Sequence, residues 1–453
     1  MVFLNYKMKE SHQKLLWAIQ VFLIALLSGC NNNNGSKNNL PPMAYFTASQ
    51  EEGAVPLTVK FDASGSTDQD GTISVYSWSF GDGKTGNGIE IEHTFTLTGD
   101  FTVSLVVIDN DGAEGKYSTV IKTYPPENES LLKKAKFWAY QLQEIEYPAA
   151  EEALINSKYD MLVLEPVRTD WSDEGTSKYD TKNLVTRLKA SRAHNGTDRK
   201  LVIGYVDIAE AEDWRWYWIE KGWPVWEQGR PRPLGLPEWI LSQDPDGWAG
   251  DFPVAYWNSQ WQDIMIYGAN TGAHPDRDYF SAVDELIKDG FDGIYMDWVE
   301  AYEDEAVIAE AQKDGLDPVE EMVKFISRIR QYAKERDPDF LIIQQNGSSL
   351  LSVQPQLLHV IDAIAQEGIW YENLSDLDWN DPDGYDQPTD PGQTAELLVN
   401  LKAFKNAGIP VFCCEYALVR ASEAYKKASE NDLIGYCSRS SLCRLTTTPP
   451  PGY

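Results

Sequence analysis

An immunoglobulin-like β-sandwich followed by an eight-stranded (β/α)₈ TIM barrel is the architecture that this 453-residue sequence predicts. Three observations predict it. Residues 42–124 alternate short β-branched or aromatic runs with turn clusters, the pattern of a small antiparallel sandwich. From 135 to 443, strand-like apolar runs alternate strictly with helical ones, as βα repeats require. Between the two, TYPPENES with Pro125 and Pro126 breaks the chain and sets residues 125–134 apart as a linker.

The N-terminal residues 1–29 read as an export signal. Lys7, Lys9 and Lys14 flank or precede the apolar run LLWAIQVFLIALL, which is shorter than the roughly 20 residues of a membrane-spanning helix. Met8 is an equally good start. The run ends in Leu27-Ser28-Gly29-Cys30, which resembles the bacterial lipobox. That resemblance implies acylation of Cys30, a membrane partner reached through the lipid, and, with Asn31 rather than Asp behind the cysteine, an outer-membrane or cell-surface location. Residues 30–41, Asn-rich and closing near Pro41 and Pro42, read as a flexible tether.

Within the sandwich the strand candidates are LTVKF, VYSWSF, IEIEHTF and FTVSLVVID, separated by ASGSTDQDG, GDGKTG and NDG. Trp78-Ser79-Phe80-Gly81-Asp82-Gly83, Asp62-Ala63-Ser64-Gly65-Ser66 and His93-Thr94-Phe95 together resemble the PKD domain. A spacer is the simplest role for this domain, with glycan or protein binding as the alternative. Gly81, Gly83 and Gly86 also satisfy G-x-G-x-x-G, but a dinucleotide site needs a helix to follow and a β-rich run follows here.

The eight barrel strands are expected at 137–141, 159–166, 201–208, 291–297, 340–346, 361–367, 411–416 and 433–437. Helices between them include one from Asp317 to Glu335, with Asp317 as cap and Pro318 at its first position, and one from Thr394 to Ala407, stopped by Gly408. A doubly wound sheet is the alternative. Residues 444–453 read as a tail.

Composition restricts the partners. A formal net charge of −31 and a pI near 4.5 exclude nucleic acid on electrostatic grounds and favour a cationic ligand, although such a charge also serves solubility. The histidines His12, His93, His194, His274 and His359 are scattered without metal-ligand spacing, so neither metal nor cofactor is expected. The loop DLDWNDPDGYDQPTDP is rich in Asp but lacks EF-hand spacing, and no G-x-S-x-G elbow occurs. Cys413, Cys414, Cys437 and Cys443 lack C-x-x-C spacing. Adjacent Cys413 and Cys414 on a strand point to opposite faces, so at most one of them can face Cys437.

Chemistry in such barrels sits where strands end. GFDGIYMDWVEAY runs apolar and then places Asp297, Trp298 and Glu300 where the apolar stretch stops; period two puts Asp297 on the face of Tyr295 and Glu300 out of phase with it. Glu367 ends the sixth strand on the face of Ala363 and Ala365, whose small side chains leave room. Strands two apart are roughly 10 Å apart, and converging acidic side chains bring the carboxyls to about 5 Å, the separation a retaining glycosidase uses. Tyr140, Glu165, Tyr205, Asp207, Gln345, Asn346, Glu415 and Tyr416 also finish strands and describe a polar pocket for a hydroxyl-rich ligand. Trp214, Trp216, Trp218, Trp223, Trp226, Trp239, Trp248, Trp257 and Trp261 crowd the insertion between the third and fourth strands; about half are expected to pack it together, and others, with Trp257 and Trp298 as candidates, to stack on sugar rings.

DGIYMDWVE invites comparison with the chitinase-type family 18 motif, but Tyr295 and Val299 replace two of its acids. FWAYQLQ, VIGYVDIAEAEDWRWYW, GFDGIYMDWVEAY, IIQQNG and IDAIAQEGIWYE, in that order, resemble the strand-end motifs of glycoside hydrolase family 114, the endo-α-1,4-polygalactosaminidase-like barrels. The resemblance implies endo-hydrolysis of an α-1,4-linked, galactosamine-containing polysaccharide, cationic where it is deacetylated. It also implies Asp297 and Glu367 as the catalytic pair, Asp297 as nucleophile or stabiliser and Glu367 as acid/base. A non-catalytic glycan-binding lipoprotein, or a glycosidase for another glycan, is the alternative.

Overall fold

A computed structural model describes residues 39–166, 179–245, 247–274, 277–372, 379 and 386–453. The export signal, Cys30, most of the tether and most of the Asp-rich loop lie outside the described residues. The chain divides into two compact units whose main boundary falls between Lys122 and Thr123, with Gly53–Leu57 and Thr96–Gly99 grouped with the second.

The first is a two-sheet sandwich. Thr47–Ala48, Leu57–Asp62 and Glu90–Phe95 form one sheet, and Glu52–Ala54, Glu114–Tyr124, Gly99–Asp109, Ile73–Ser79 and Thr85–Asn87, in that order, form the other. Alternation explains both: Val59, Phe61, Val103, Leu105 and Val107 point inward onto Trp78, Phe80 and Phe95, and their neighbours face out. Gly81 and Gly83 take positive φ in the turn between Ile73–Ser79 and Thr85–Asn87, so the G-x-G-x-x-G stretch is a hairpin and not a helix start.

The second unit holds the eight expected barrel strands: β1 (Trp138–Gln141), β2 (Met161–Leu164), β3 (Leu201–Asp207), β4 (Gly293–Asp297), β5 (Leu341–Gln345), β6 (Ala363–Glu367), β7 (Val411–Glu415) and β8 (Ile434–Cys437). They run parallel and lie side by side in sequence order, which rules out a doubly wound sheet. The barrel is nearly closed, with the Trp138 indole N–H of β1 donating to the Ile434 carbonyl of β8 at 2.9 Å. Parallel register puts partners on the same face. Tyr205 with Tyr295, Asp207 with Asp297, Gln345 with Ala365, and Glu367 with Cys414 therefore share the inward face.

The stretch expected as a linker contains a helix, α1 (Glu127–Lys134), that belongs to the barrel unit. Leu132 is buried, and buried Asn128 donates to the carbonyls of Asp292 and Asp339 at 3.3 and 3.1 Å, at the starts of β4 and β5. The expected tail is likewise folded in. Tyr453 lies 4.5 Å from the Tyr159 ring, and its hydroxyl accepts from the Lys158 amide. Helix α2 (Pro318–Arg336) starts as expected, with the Asp317 side chain accepting from Val319 N at 2.9 Å. Helix α3 (Pro391–Asn406) begins three residues before Thr394 because Asp390-Pro391 supplies a cap and a first-turn proline. All four described cysteines are free. Cys437 stands opposite Glu415, while Cys413 and Cys414 face Gly435 and Tyr436.

Candidate active site

The floor of the barrel mouth is aromatic. The Tyr140 ring lies 5.1 Å from Tyr295 and 6.3 Å from Tyr205, and Trp138 stacks beneath them. Inward alternation on β1, β3 and β4 puts these rings at one level, and Ala363 and Ala365 on β6 add no bulk there. Above this floor the barrel turns polar, because β3, β4, β5 and β6 each end in an inward Asp, Gln or Glu.

Asp297 ends β4 half-buried. Its Oδ2 accepts the Tyr205 hydroxyl, and its Oδ1 accepts the Trp298 amide at 2.7 Å. Trp298 takes φ +53°, which turns that amide back onto the carboxylate it follows. Burial pushes Asp297 up to about 6, with both donors opposing the rise.

Glu367 ends β6, one strand beyond β5, so the two acids sit where strand spacing places their backbones roughly 10 Å apart. The Tyr416 hydroxyl donates to its Oε2 at 2.5 Å, and its backbone amide donates to Asn346 Oδ1 at 2.9 Å. Burial and then the Asp297 charge raise Glu367 to about 7, while Tyr416 and Gln345 favour its ionised form. Asp207, beside Asp297, accepts the Ala209 and Glu210 amides but is held well above the carboxylate range, first by burial and then by Asp297.

Not every residue expected to touch a ligand is free to do so. Glu165 is locked in a buried ion pair, with Arg215 Nη1 and Nη2 at 2.5 and 3.0 Å from its oxygens while Nε of the same guanidinium holds Glu212. Glu415 points out of the barrel, as its place between inward Cys414 and Tyr416 dictates, and accepts the Trp370 and Tyr371 amides at 2.9 Å. Trp257 gives its indole N–H to Asp314 at 2.8 Å and sets its ring edge-on to Tyr256, while the side chain stays half-exposed. Tyr140 is floor, buried beneath the carboxyls. Of the insertion tryptophans, Trp218, Trp239 and Trp261 are buried, and Trp214, Trp216, Trp223, Trp226, Trp248 and Trp257 are half-exposed.

One site residue escapes the strand rule. Glu300 follows β4 out of phase, but left-handed Trp298 and the 3₁₀ turn Val299–Glu303 bring it back to the mouth. Its Oε1 accepts from Asn346 Nδ2 at 2.9 Å, and burial followed by the Asp297 charge raises it to about 8. Asn346 itself has φ +52° and precedes Gly347 at φ +59°, so the chain turns sharply after β5 and presents the Asn amide sideways to both acids. Among the described residues no His, Cys, Asp and Glu group has the geometry to hold a metal ion.

The family model of glycoside hydrolase family GH114 matches residues 125–444, more than half of the chain, and that of the PKD domain matches residues 39–123. The chain belongs to family GH114. It is a glycoside hydrolase whose barrel is preceded by a PKD domain. A Deinococcus radiodurans protein is 29% identical to it over 330 residues, covering 72% of this chain and 87% of the relative. The glycoside hydrolase domain of PelA from Pseudomonas aeruginosa covers 69% of this chain and 98% of its own at 16% identity and a TM-score of 0.46. Aspergillus fumigatus Ega3, solved with galactosamine, covers 69% of this chain and 94% of its own at 14% identity and a TM-score of 0.44.

Proposed function

We propose that this GH114 glycosidase cleaves α-1,4-linked, galactosamine-containing polysaccharide internally and with retention, using Asp297 as nucleophile and Glu367 as acid/base. The observation that carries the division of labour is the difference between the two environments. Asp297, with two donors and the lower value of about 6, is the acid that stays ionised; Glu367, with one close donor and the added Asp297 charge, holds its proton to about 7. In the first step Asp297 Oδ attacks the anomeric carbon while the Glu367 proton passes to the leaving glycosidic oxygen. In the second, ionised Glu367 takes a proton from water, whose oxygen displaces Asp297 from the sugar.

A net charge of −31 and the raised acids around the mouth support a cationic, partly deacetylated polymer as substrate. Acylation at Cys30 would hold the enzyme at the bacterial outer membrane or cell surface, with the tether and PKD domain as spacer; labelling of Cys30 by radioactive palmitate, lost in Cys30→Ala, tests this. The catalytic reading is tested by reducing-sugar release from purified galactosaminogalactan-type polymer. Asp297→Asn and Glu367→Gln each lower turnover by about 10² to 10⁴-fold with the fold retained, and full activity in either variant overturns the assignment. Binding of polymer without release in the parent chain would leave a glycan-binding protein instead.

A further inference from the structure

The site carries more buried acceptors than its own donors satisfy. Glu300 Oε1 is held by Asn346, but its Oε2 is buried with no donor in the protein. Tyr295, fully buried on the inward face two residues before Asp297, has an unpaired hydroxyl. Gln345, 4% exposed on the inward face of β5 between the two acids, has an unpaired Oε1. The amide donors nearby are committed, since Asn346 Nδ2 goes to Glu300 and Gln366 Nε2 goes to Asn346 Oδ1 at 2.9 Å, which leaves the Tyr295 O–H to meet one acceptor while its oxygen still accepts from a ligand. Leaving such acceptors unmet is costly, so a ligand that supplies donors is favoured there.

We propose that Glu300, with the Tyr295 hydroxyl and Gln345 Oε1, forms a subsite for the free ammonium group of an amino sugar, and that Glu300 is the residue by which the site separates amine from N-acetyl. This rests on the galactosamine reading above. An ammonium carries three donors and no acceptor, which matches a wall of acceptors. An N-acetyl group offers one N–H and sets a carbonyl oxygen and a methyl against the same wall, and a hydroxyl offers a single donor. The groups facing Glu300 add negative potential and none that opposes a cation: Asp297 and Tyr295 from β4, Tyr302 from its own turn, and Glu367 from β6. Asn346 is a positioning residue, because its Oδ1 is fixed by the Glu367 amide and its Nδ2 thereby fixes the Glu300 carboxyl. Strand periodicity alone assigns Glu300 to the far face, so the subsite depends on the left-handed step at Trp298.

The test is calorimetric binding of galactosamine and N-acetylgalactosamine oligosaccharides to the full chain carrying Glu367→Gln, so that neither is turned over. Adding Glu300→Gln is expected to weaken amine binding at least about tenfold and to leave N-acetyl binding within about twofold. Equal loss for both ligands, or no loss for the amine, overturns the subsite while the galactosamine reading stands. A chain that binds neither ligand with Glu300 intact overturns both. A second measurement needs no change at Glu300. Unliganded, Glu300 keeps its proton to about 8 and gives it up beside an ammonium, so amine binding at pH 6, where the sugar amine is itself already protonated, run in two buffers of different ionisation enthalpy, releases a proton to the buffer and N-acetyl binding releases none. Equal proton release with the two ligands overturns the proposal.

Discussion

Tyr416→Phe removes one hydroxyl and tests which carboxyl is the acid. The phenol donates to Glu367 Oε2 at 2.5 Å and stabilises the ionised form. A hydrogen bond to a charged group is worth about 1.5–3 kcal/mol, and 1.36 kcal/mol is one pKa unit, so its loss raises Glu367 by roughly 1 to 2 units. The sign follows from the donor, since withdrawing a hydrogen bond from the carboxylate makes the proton harder to lose. If Glu367 must be protonated to cleave, the basic limb of kcat/KM, set near 7 in the parent, moves up by about that amount. The acidic limb, near 6 and set by Asp297, stays nearly fixed, apart from the coupling between the pair. The assay is kcat/KM on a soluble galactosamine oligosaccharide from pH 4 to 10. A basic limb that stays in place, or an acidic limb that moves instead, refutes Glu367 as the acid.

Other consequences are as direct. Tyr205→Phe removes the hydroxyl from Asp297 Oδ2 and moves the acidic limb upward, so that the optimum narrows. Arg215→Met leaves buried Glu165 and Glu212 without their shared cation and is expected to cost about 3–5 kcal/mol of stability, measured by chemical denaturation. Glu285, Glu300, Glu367 and Glu415 all have folded values raised to about 7 or 8, so the folded state holds protons that the unfolded chain releases near 4.5. The contribution of these four groups to stability is therefore full below about 4.5, falls as pH rises towards 8 and is lost above it; a melting temperature higher at pH 8 than at pH 5.5 contradicts this. Trp257→Ala, whose indole is bound to Asp314, leaves kcat/KM on the same oligosaccharide within about twofold.

The barrel was legible because its strands are buried on both faces and read as continuous apolar runs bounded by turn residues, and all eight lie where those runs lie. The place of Asp297 and Glu367 at the mouth was legible for the same reason, since a carboxyl that ends such a run on the inward face opens onto the mouth. Period two also separates Glu415 from Tyr416, yet polarity at a strand end made both look like contacts. The fate of Glu165 was hidden because Arg215 lies 50 residues along the chain and nothing local announces the pair. Glu300 was hidden by a single dihedral, the positive φ of Trp298, which strand alternation cannot foresee. The segment 125–134 looked like a linker through its prolines, although Pro126 is the residue before the first turn of α1 and the acids Glu127 and Glu129 behind it suit a helix start.

That dihedral bears on how one barrel mouth keeps several carboxyls close together. Asp207, Asp297, Glu300 and Glu367 repel one another, and the burial that excludes water strengthens the repulsion. The fold separates them by their donors. Asp207 takes two amides of its own loop, Asp297 a phenol and an amide, Glu367 a phenol with help from Gln345, and Glu300 the Asn346 amide with help from its own backbone N–H. Asp297, fastened by Tyr205 and Trp298, ionises first of the three near 6, and Glu367 and Glu300, which face the Asp297 charge on top of burial, hold their protons to about 7 and about 8. Asp207 departs from that order because it is the most deeply buried and lies opposite Asp297 in register, so two amides do not offset the loss of water. Under the proposed function, a cationic sugar entering the mouth would relieve the repulsion that the fold sustains. On the galactosamine reading, discrimination for charge and the proton for cleavage would both draw on the same crowding of buried acids above the tyrosine floor.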